Sequence, residues 1–315
     1  MKGTFFIAGP TAAGKSELAA DVASEISSEI VSADAFQVYR GLDLLTAKPN
    51  AATLSKAPHH LIGAIPLHEE MNAEKYRRAA SRSIDEIHSR RKLAIVVGGS
   101  GLYIKSLTHG LACLPESDLE MREKLNEMTL DELHARLAEV DPEAIQRIDI
   151  KNRRRVVRAL EICLQTGKPS SEAVAGVGDF GNWGKAALLS SPLTAGVFVF
   201  RGREELYGRI NQRVEKMFDE GVIEEVRAAG KVSSTASQMI GFREIHQLLD
   251  GTISVSQCIA AIQQATRRYA KRQLTWFRRQ TNFLPLNLSL LSHNEAKKWL
   301  LLRALAERGK VSGVL

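Results

Sequence analysis

An α/β fold on a mainly parallel sheet, with an all-helical block inserted into it, is predicted by three observations on this 315-residue chain. Short apolar runs recur with helical segments between them, the alternation of strands and crossover helices. The first run leads into a glycine loop that opens a helical segment. From about 115 to 168 the strand pattern disappears, and it resumes at Gly196.

The candidate strands are 4–8, 29–32, 61–65, 93–97, 196–200 and a weaker 283–286. Residues 72–91 read as a helix with Tyr76, Ala80, Ile84 and Ile87 on one face. Inside the strand-free block, Thr129 and Glu132 form a capping box in front of 130–140. Asp141-Pro142 starts a second helix by N-cap and first-turn preference. A third runs over 153–165 and stops at Gly167, before Pro169. A loop rich in Gly and Ser follows, 170–184, and the last third is mostly helical, with 204–220 ending at Gly221 and a long basic segment over 253–280. The predicted division is a core in two parts, 1–112 and 191–315, around an inserted helical subdomain, 113–190, free to move on its two connections.

Composition is that of an ordinary soluble globular protein, 44% hydrophobic and 25% charged. The net charge of +7 fits either a polyanionic partner or a basic solvated surface. Cys113, Cys163 and Cys258 are scattered without a C-x-x-C pair, which argues against a zinc module or a disulfide framework. The N-terminus runs straight into the first strand without the design of a signal peptide, and no apolar stretch approaches membrane-spanning length. The expectation is a cytoplasmic protein with no membrane association.

The glycine loop is Gly9-Pro10-Thr11-Ala12-Ala13-Gly14-Lys15-Ser16, which fills the G-x-x-x-x-G-K-[ST] pattern between a strand and a helix, the context of a P-loop. The core is therefore P-loop NTPase-like. Backbone N–H groups of such a loop wrap a pyrophosphate, Lys15 supplies a point charge, and Ser16 can ligate Mg²⁺. Asp34 follows the second strand, at the sheet edge where ligands collect. It fits a general base, a partner of Mg²⁺ or a plain turn aspartate. The fourth strand ends in Gly98-Gly99-Ser100-Gly101-Leu102-Tyr103, where an ATP-hydrolysing P-loop protein usually places a metal-linked aspartate. The glycines permit close backbone approach, and Ser100 can hydrogen-bond a diphosphate or leaving-group oxygen.

Two basic clusters come next. Lys151, Arg153, Arg154, Arg155 and Arg158 head the third inserted helix; Arg267, Arg268, Lys271, Arg272, Arg278 and Arg279 alternate with Tyr269, Trp276 and Phe277. Basic residues interleaved with aromatics suit phosphate contacts and base stacking on single-stranded RNA. A solvated helix face accounts for either cluster alone.

Together these residues resemble the tRNA dimethylallyltransferases (isopentenyltransferases). The resemblance covers most of the chain. Residues 9–16 look like that family's phosphate loop, and Asp34 with Gln37-Val38-Tyr39 like its D-S-x-Q-V-Y block. Thr46-Ala47-Lys48-Pro49, Pro58-His59-His60-Leu61 and residues 98–103 are similar to its G-T-A-K-P, P-H-H-L and G-G-[ST]-G-L-Y segments. Arg155 with Arg158-Ala159-Leu160-Glu161, Gly241-Phe242-Arg243, and Tyr269-Ala270-Lys271-Arg272-Gln273 with Thr275-Trp276 and Arg278 match further motifs. Ala35, Leu45 and Ser100 depart from the usual Ser, Gly and Thr.

The resemblance implies transfer of a dimethylallyl group from dimethylallyl diphosphate to the exocyclic amine of the adenosine 3′ of a tRNA anticodon. It implies Mg²⁺ as cofactor on Ser16, Asp34 as base, and Ser100 as a second catalytic residue. Asp34, Ala35, Phe36, Gln37, Gly101 and the turn Gln238, Met239, Ile240, Gly241, Phe242 and Arg243 would read or prop bases of the anticodon loop. Arg122 and the segment Arg154, Arg155, Val156, Val157 and Arg158 would meet the anticodon stem through phosphates. No protein partner is implied, and a monomer is expected. The rival readings are a P-loop small-molecule kinase, prenyl transfer to free AMP, and a nucleotide-gated RNA-binding module without catalysis.

Overall fold

The computed structural model describes residues 3–111, 114–173 and 195–312. Cys113, the expected boundaries at 112/113 and 190/191, and most of the Gly- and Ser-rich segment lie outside the described residues. The chain divides into two compact units, Met1–Thr108 with Leu193–Leu315, and His109–Pro192.

The first unit is a six-stranded parallel sheet: β1 (Thr4–Ala8), β2 (Glu29–Ser32), β3 (His59–His60), β4 (Ala94–Gly98), β5 (Gly196–Phe200) and β6 (Leu284–Asn287), in the order β3-β2-β4-β1-β5-β6. Its helices are α1 (Lys15–Glu25), α2 (Ala51–Leu54), α3 (Ala73–Ser89) and α4 (Gly101–Thr108) before the helical unit. Side chains of the central strands alternate between two cores, as strands covered on both faces must. Phe6, Ala8, Val31, Val96 and Phe198 enter one core, Phe5, Ile7, Ile30, Ile95 and Val197 the other.

The helix expected over 72–91 is α3: Asn72 caps it, its Oδ1 accepting the Lys75 N–H at 2.9 Å, and Tyr76, Ala80, Ile84 and Ile87 are its buried residues. The strand expected over 61–65 is a correction. Pairing with β2 is confined to His59 and His60, because Leu61 at φ 62° and Gly63 at φ 60° turn the chain out of the ladder. Ile65 forms only an isolated bridge with Tyr39.

The second unit packs α5 (Leu119–Glu127), α6 (Leu130–Val140), α7 (Pro142–Arg147), α8 (Arg153–Thr166) and α9 (Ser170–Ala173) around Leu133, Leu137, Val156 and Leu160. The Thr129–Glu132 capping box is present, and Gly167 ends α8 at φ 64°. Asp141 caps α7 and also ties down the start of α9, accepting from Ser170 Oγ at 2.6 Å and Ser171 N at 2.8 Å.

The first unit resumes with α10 (Arg203–Asp219), α11 (Val222–Arg227), α12 (Phe242–Leu249), α13 (Val255–Gln280) and α14 (His293–Ser312). Among the described residues no helix is long and apolar enough to cross a membrane.

Candidate active site

β1 delivers the chain to the carboxyl edge of the sheet, and residues 9–14 fold back over it before α1 begins. Gly14 stands at φ 95°, left-handed backbone natural to glycine. The Ala13 N–H closes on the Pro10 carbonyl at 3.3 Å, and the Thr11 N–H is taken by Gln273 Oε1 at 2.9 Å. The amides of Ala12, Gly14, Lys15 and Ser16 have no partner among the described residues. Four free donors at the positive end of a helix make a cradle for a diphosphate. Lys15 is buried beneath it, its Nζ donating to the Pro10 carbonyl at 3.2 Å. Burial lowers its pKa to about 8, against the pull of Asp34 and with a further push from Arg213.

Three arginines surround this loop that no sequence motif had marked. Arg201, just after β5, donates from Nε to the Ala13 carbonyl at 2.9 Å. Arg209 on α10 does the same to the Ala12 carbonyl at 2.9 Å. Arg213, one turn on, donates from Nη1 to Thr11 Oγ1 at 2.9 Å. Its Nε is buried without a partner, an orphan donor beside an anion cradle. Burial also lowers the Arg213 pKa, with Asp34 opposing. The available signal was a pair of arginines four residues apart on the helix that follows the strand next to β1.

Asp34 lies two residues beyond β2. Its Oδ1 accepts the N–H groups of Phe36 at 3.0 Å and Gln37 at 3.3 Å, so the turn role is real and it orients the carboxylate. Its charge also acts on Lys15 and Arg213. The phenols of Tyr76, Tyr103 and Tyr269 are raised by burial first, with Asp34 contributing to each. Ser100 is buried; its N–H donates to the Ala33 carbonyl at 3.1 Å and its Oγ accepts the Ala35 N–H at 2.8 Å. It therefore fastens the turn after β4 to the turn that carries Asp34. A Cβ on Gly99 would stand 2.3 Å from Gln273 Nε2, and Gly101 opens α4 against the Trp276 indole. The glycine turn is thus a packing surface for α13.

The residues assigned to RNA fall into two groups. Gln238 and Arg243 are exposed, whereas Met239 and Gly241 are buried and Ile240 and Phe242 pack on the core. Ala35, Phe36 and Gln37 are half-buried, and Gln37 Nε2 donates to the Ala47 carbonyl at 3.0 Å. On α13, Thr266, Ala270, Gln273 and Phe277 face inward, while Arg268, Lys271, Arg272, Arg278 and Arg279 are exposed. In the helical unit, Val156 and Val157 are core residues, and Arg122 and Arg158 are bound to Glu161. The side chains of Arg154 and Arg155 have no partner among the described residues.

For a divalent ion, the structure offers the Ser16 hydroxyl on the first turn of α1, and no group of three His, Cys, Asp or Glu side chains among the described residues. That fits Mg²⁺, which binds through one or two protein oxygens plus phosphate oxygens and waters, and does not fit a protein-caged ion.

Comparison with known proteins identifies similar sequences and folds. The chain is 42% identical over 277 residues to a tRNA dimethylallyltransferase of Akkermansia muciniphila, covering 88% of this chain and 90% of that one. Its fold matches a full-length tRNA isopentenylpyrophosphate transferase of Bacillus halodurans with a TM-score of 0.70 and 31% identity, over 99% of this chain and 98% of that one. It also matches a eukaryotic dimethylallyltransferase acting on tRNA, with a TM-score of 0.73 and 25% identity, over 91% and 74% of the two chains. The family model described as IPP transferase matches residues 37–280, and the chain belongs to that family.

Proposed function

We propose that this chain transfers the dimethylallyl group of dimethylallyl diphosphate to the exocyclic amine of the adenosine 3′-adjacent to the anticodon in tRNA, releasing diphosphate. The observation that carries the reading is Asp34: a carboxylate oriented by its own turn, within electrostatic reach of Lys15 and Arg213 at the diphosphate loop. The names of the relatives, tRNA dimethylallyltransferase among them, support the same substrate pair.

The amides of Ala12, Gly14, Lys15 and Ser16, with Lys15 and Arg213, hold the donor's diphosphate. As the allylic C–O bond breaks, charge grows on the leaving diphosphate, and these fixed donors stabilise it without reorganising. Ser16 would hold a Mg²⁺ ion, which when bound neutralises part of the same charge. The adenine amine forms the new C–N bond and passes a proton to Asp34. Ser100 positions the Asp34 turn through the Ala35 amide.

The target base leaves the anticodon-loop stack to reach this site. The exposed basic face of α13, Arg154 and Arg155 meet RNA phosphates, and Gln37, Gln238 and Arg243 lie among the loop bases. Such a substrate agrees with a cytoplasmic location. Mass spectrometry of bulk tRNA nucleosides, with and without this protein, tests the reading: dimethylallyl-adenosine is expected only with it, and its absence in both sinks the proposal.

A further inference from the structure

Gln273 sits midway along α13 and reaches both loops of the site with one amide. Its Oε1 accepts the Thr11 N–H at 2.9 Å, and its Nε2 donates to the Gly99 carbonyl at 2.8 Å. The side chain is 5% exposed, so neither bond is exchanged for water without cost. By taking the Thr11 amide it leaves the amides of Ala12, Gly14, Lys15 and Ser16 to supply the diphosphate donors. Tyr269, one turn before it, interacts with Ser100, and Trp276, one turn after, lies against Gly101. The opposite face of the same helix exposes Arg268, Lys271, Arg272, Arg278 and Arg279. A polyanion on the outer face and a diphosphate on the loop therefore act on one stiff element.

We propose that Gln273 is a positioning residue that couples RNA binding on α13 to the diphosphate loop, so that each substrate tightens the other. The inference rests on the reading of α13 as an RNA surface and of the loop as the donor site. Coupling of this kind is reciprocal: whatever factor RNA adds to diphosphate affinity, diphosphate adds to RNA affinity.

The test is calorimetric titration of inorganic diphosphate with Mg²⁺ into the full chain, alone and saturated with an anticodon stem–loop RNA. RNA is expected to tighten diphosphate binding on the order of tenfold. Gln273→Met fills the same space without hydrogen bonds. It should lose that gain and raise the donor KM, while RNA affinity of the donor-free protein stays unchanged. Gln273→Glu still accepts from Thr11 but cannot donate to Gly99, and should also lose the gain; it decides alone if the Met variant melts early. A wild-type protein without the gain, or a folded variant that keeps it, overturns the proposal. Prenyl transfer to the same RNA separates the two readings: transfer without coupling refutes only Gln273, and no transfer refutes the function itself.

Discussion

Glu161, fully buried on α8, accepts Arg158 Nη1 on Oε2 at 2.6 Å, and the same oxygen takes Arg122 Nη2 at 3.0 Å. Its Oε1 accepts the Asp118 N–H at 2.7 Å, and Arg158 Nη2 closes on the Pro115 carbonyl at 2.6 Å. Two arginines with the look of phosphate contacts are thus part of the frame that joins α5 to α8. Arg154 and Arg155, whose side chains are unpaired among the described residues, are the better candidates for RNA.

The double variant Arg154→Gln/Arg155→Gln should therefore flatten the slope of log affinity against log salt by about 1.4–1.8 units, at roughly 0.7–0.9 per phosphate contact, with no change in thermal midpoint. Arg158→Gln should instead cost about 1.5–3 kcal/mol of stability, the worth of hydrogen bonds to a charged buried group. Binding titrations across salt concentrations and thermal melts check both. An unaltered slope in the folded double variant would remove this pair from the interface.

Asp34 carries two roles that two substitutions separate. Asn keeps an oxygen for the Phe36 and Gln37 amides but accepts a proton poorly; Ala loses both. Both variants should lower single-turnover transfer by about 10²–10⁴-fold, and Asn should leave diphosphate affinity within a few-fold of wild type. Wild-type turnover in Asp34→Asn would show that the residue is only a turn former.

Lys15 gives the site a pH dependence. Its pKa is lowered to about 8 by burial, so the free protein loses this ammonium as pH rises through about 8, and diphosphate affinity should fall there. For stability the sign is opposite. A Lys depressed on folding is a charge buried at a cost below about 8, and that cost fades as pH rises towards the unfolded value of 10.5. Lys15→Met should consequently raise the thermal midpoint at neutral pH while abolishing diphosphate binding. Flat wild-type affinity between about pH 7 and 10, or a destabilised Met variant, would contradict this.

Glu29 on β2 sets an acid limit on the first unit. Burial raises its pKa, but hydrogen bonds from Arg90, His60 and Lys92 outweigh burial and bring it down to about 2. A depressed carboxylate stabilises the fold above its unfolded pKa near 4.5, and that stability is lost as pH falls through about 2. The shift corresponds to about 3 kcal/mol at neutral pH. Glu29→Gln should lose about that much at pH 7 and converge with wild type in strong acid, as denaturant titrations at several pH values would reveal. Parallel stability curves for the two proteins would argue against it.

The parts of this molecule that were legible in the sequence are those written locally. Asn72 before a 3.6-residue apolar period announced α3, Thr129 with Glu132 announced α6, and the glycine loop announced its own strand and helix. At 61–65 the apolar run was legible, but nothing in it warned that Leu61 would turn left-handed. The catalytic surroundings were harder because their partners are far apart in the chain: Gln273 and Thr11, Arg213 and Thr11, Arg201 and Ala13 meet only through the sheet. Glu161 stands only three residues after Arg158 on one helix, yet the sequence pattern assigned it no role and set Arg122 and Arg158 against RNA phosphates instead.

The loop at Gly9 to Ser16 is proposed to serve prenyl transfer to RNA rather than phosphoryl transfer from ATP. One experiment addresses it most directly: purified chain, Mg²⁺, dimethylallyl diphosphate and an anticodon stem–loop RNA with adenosine 3′ of the anticodon, followed by mass spectrometry of the RNA and assay of released diphosphate. The expected result is one dimethylallyl group on that adenosine, one diphosphate released per group transferred, and no requirement for ATP. Unmodified RNA together with RNA-independent ATP turnover would contradict it.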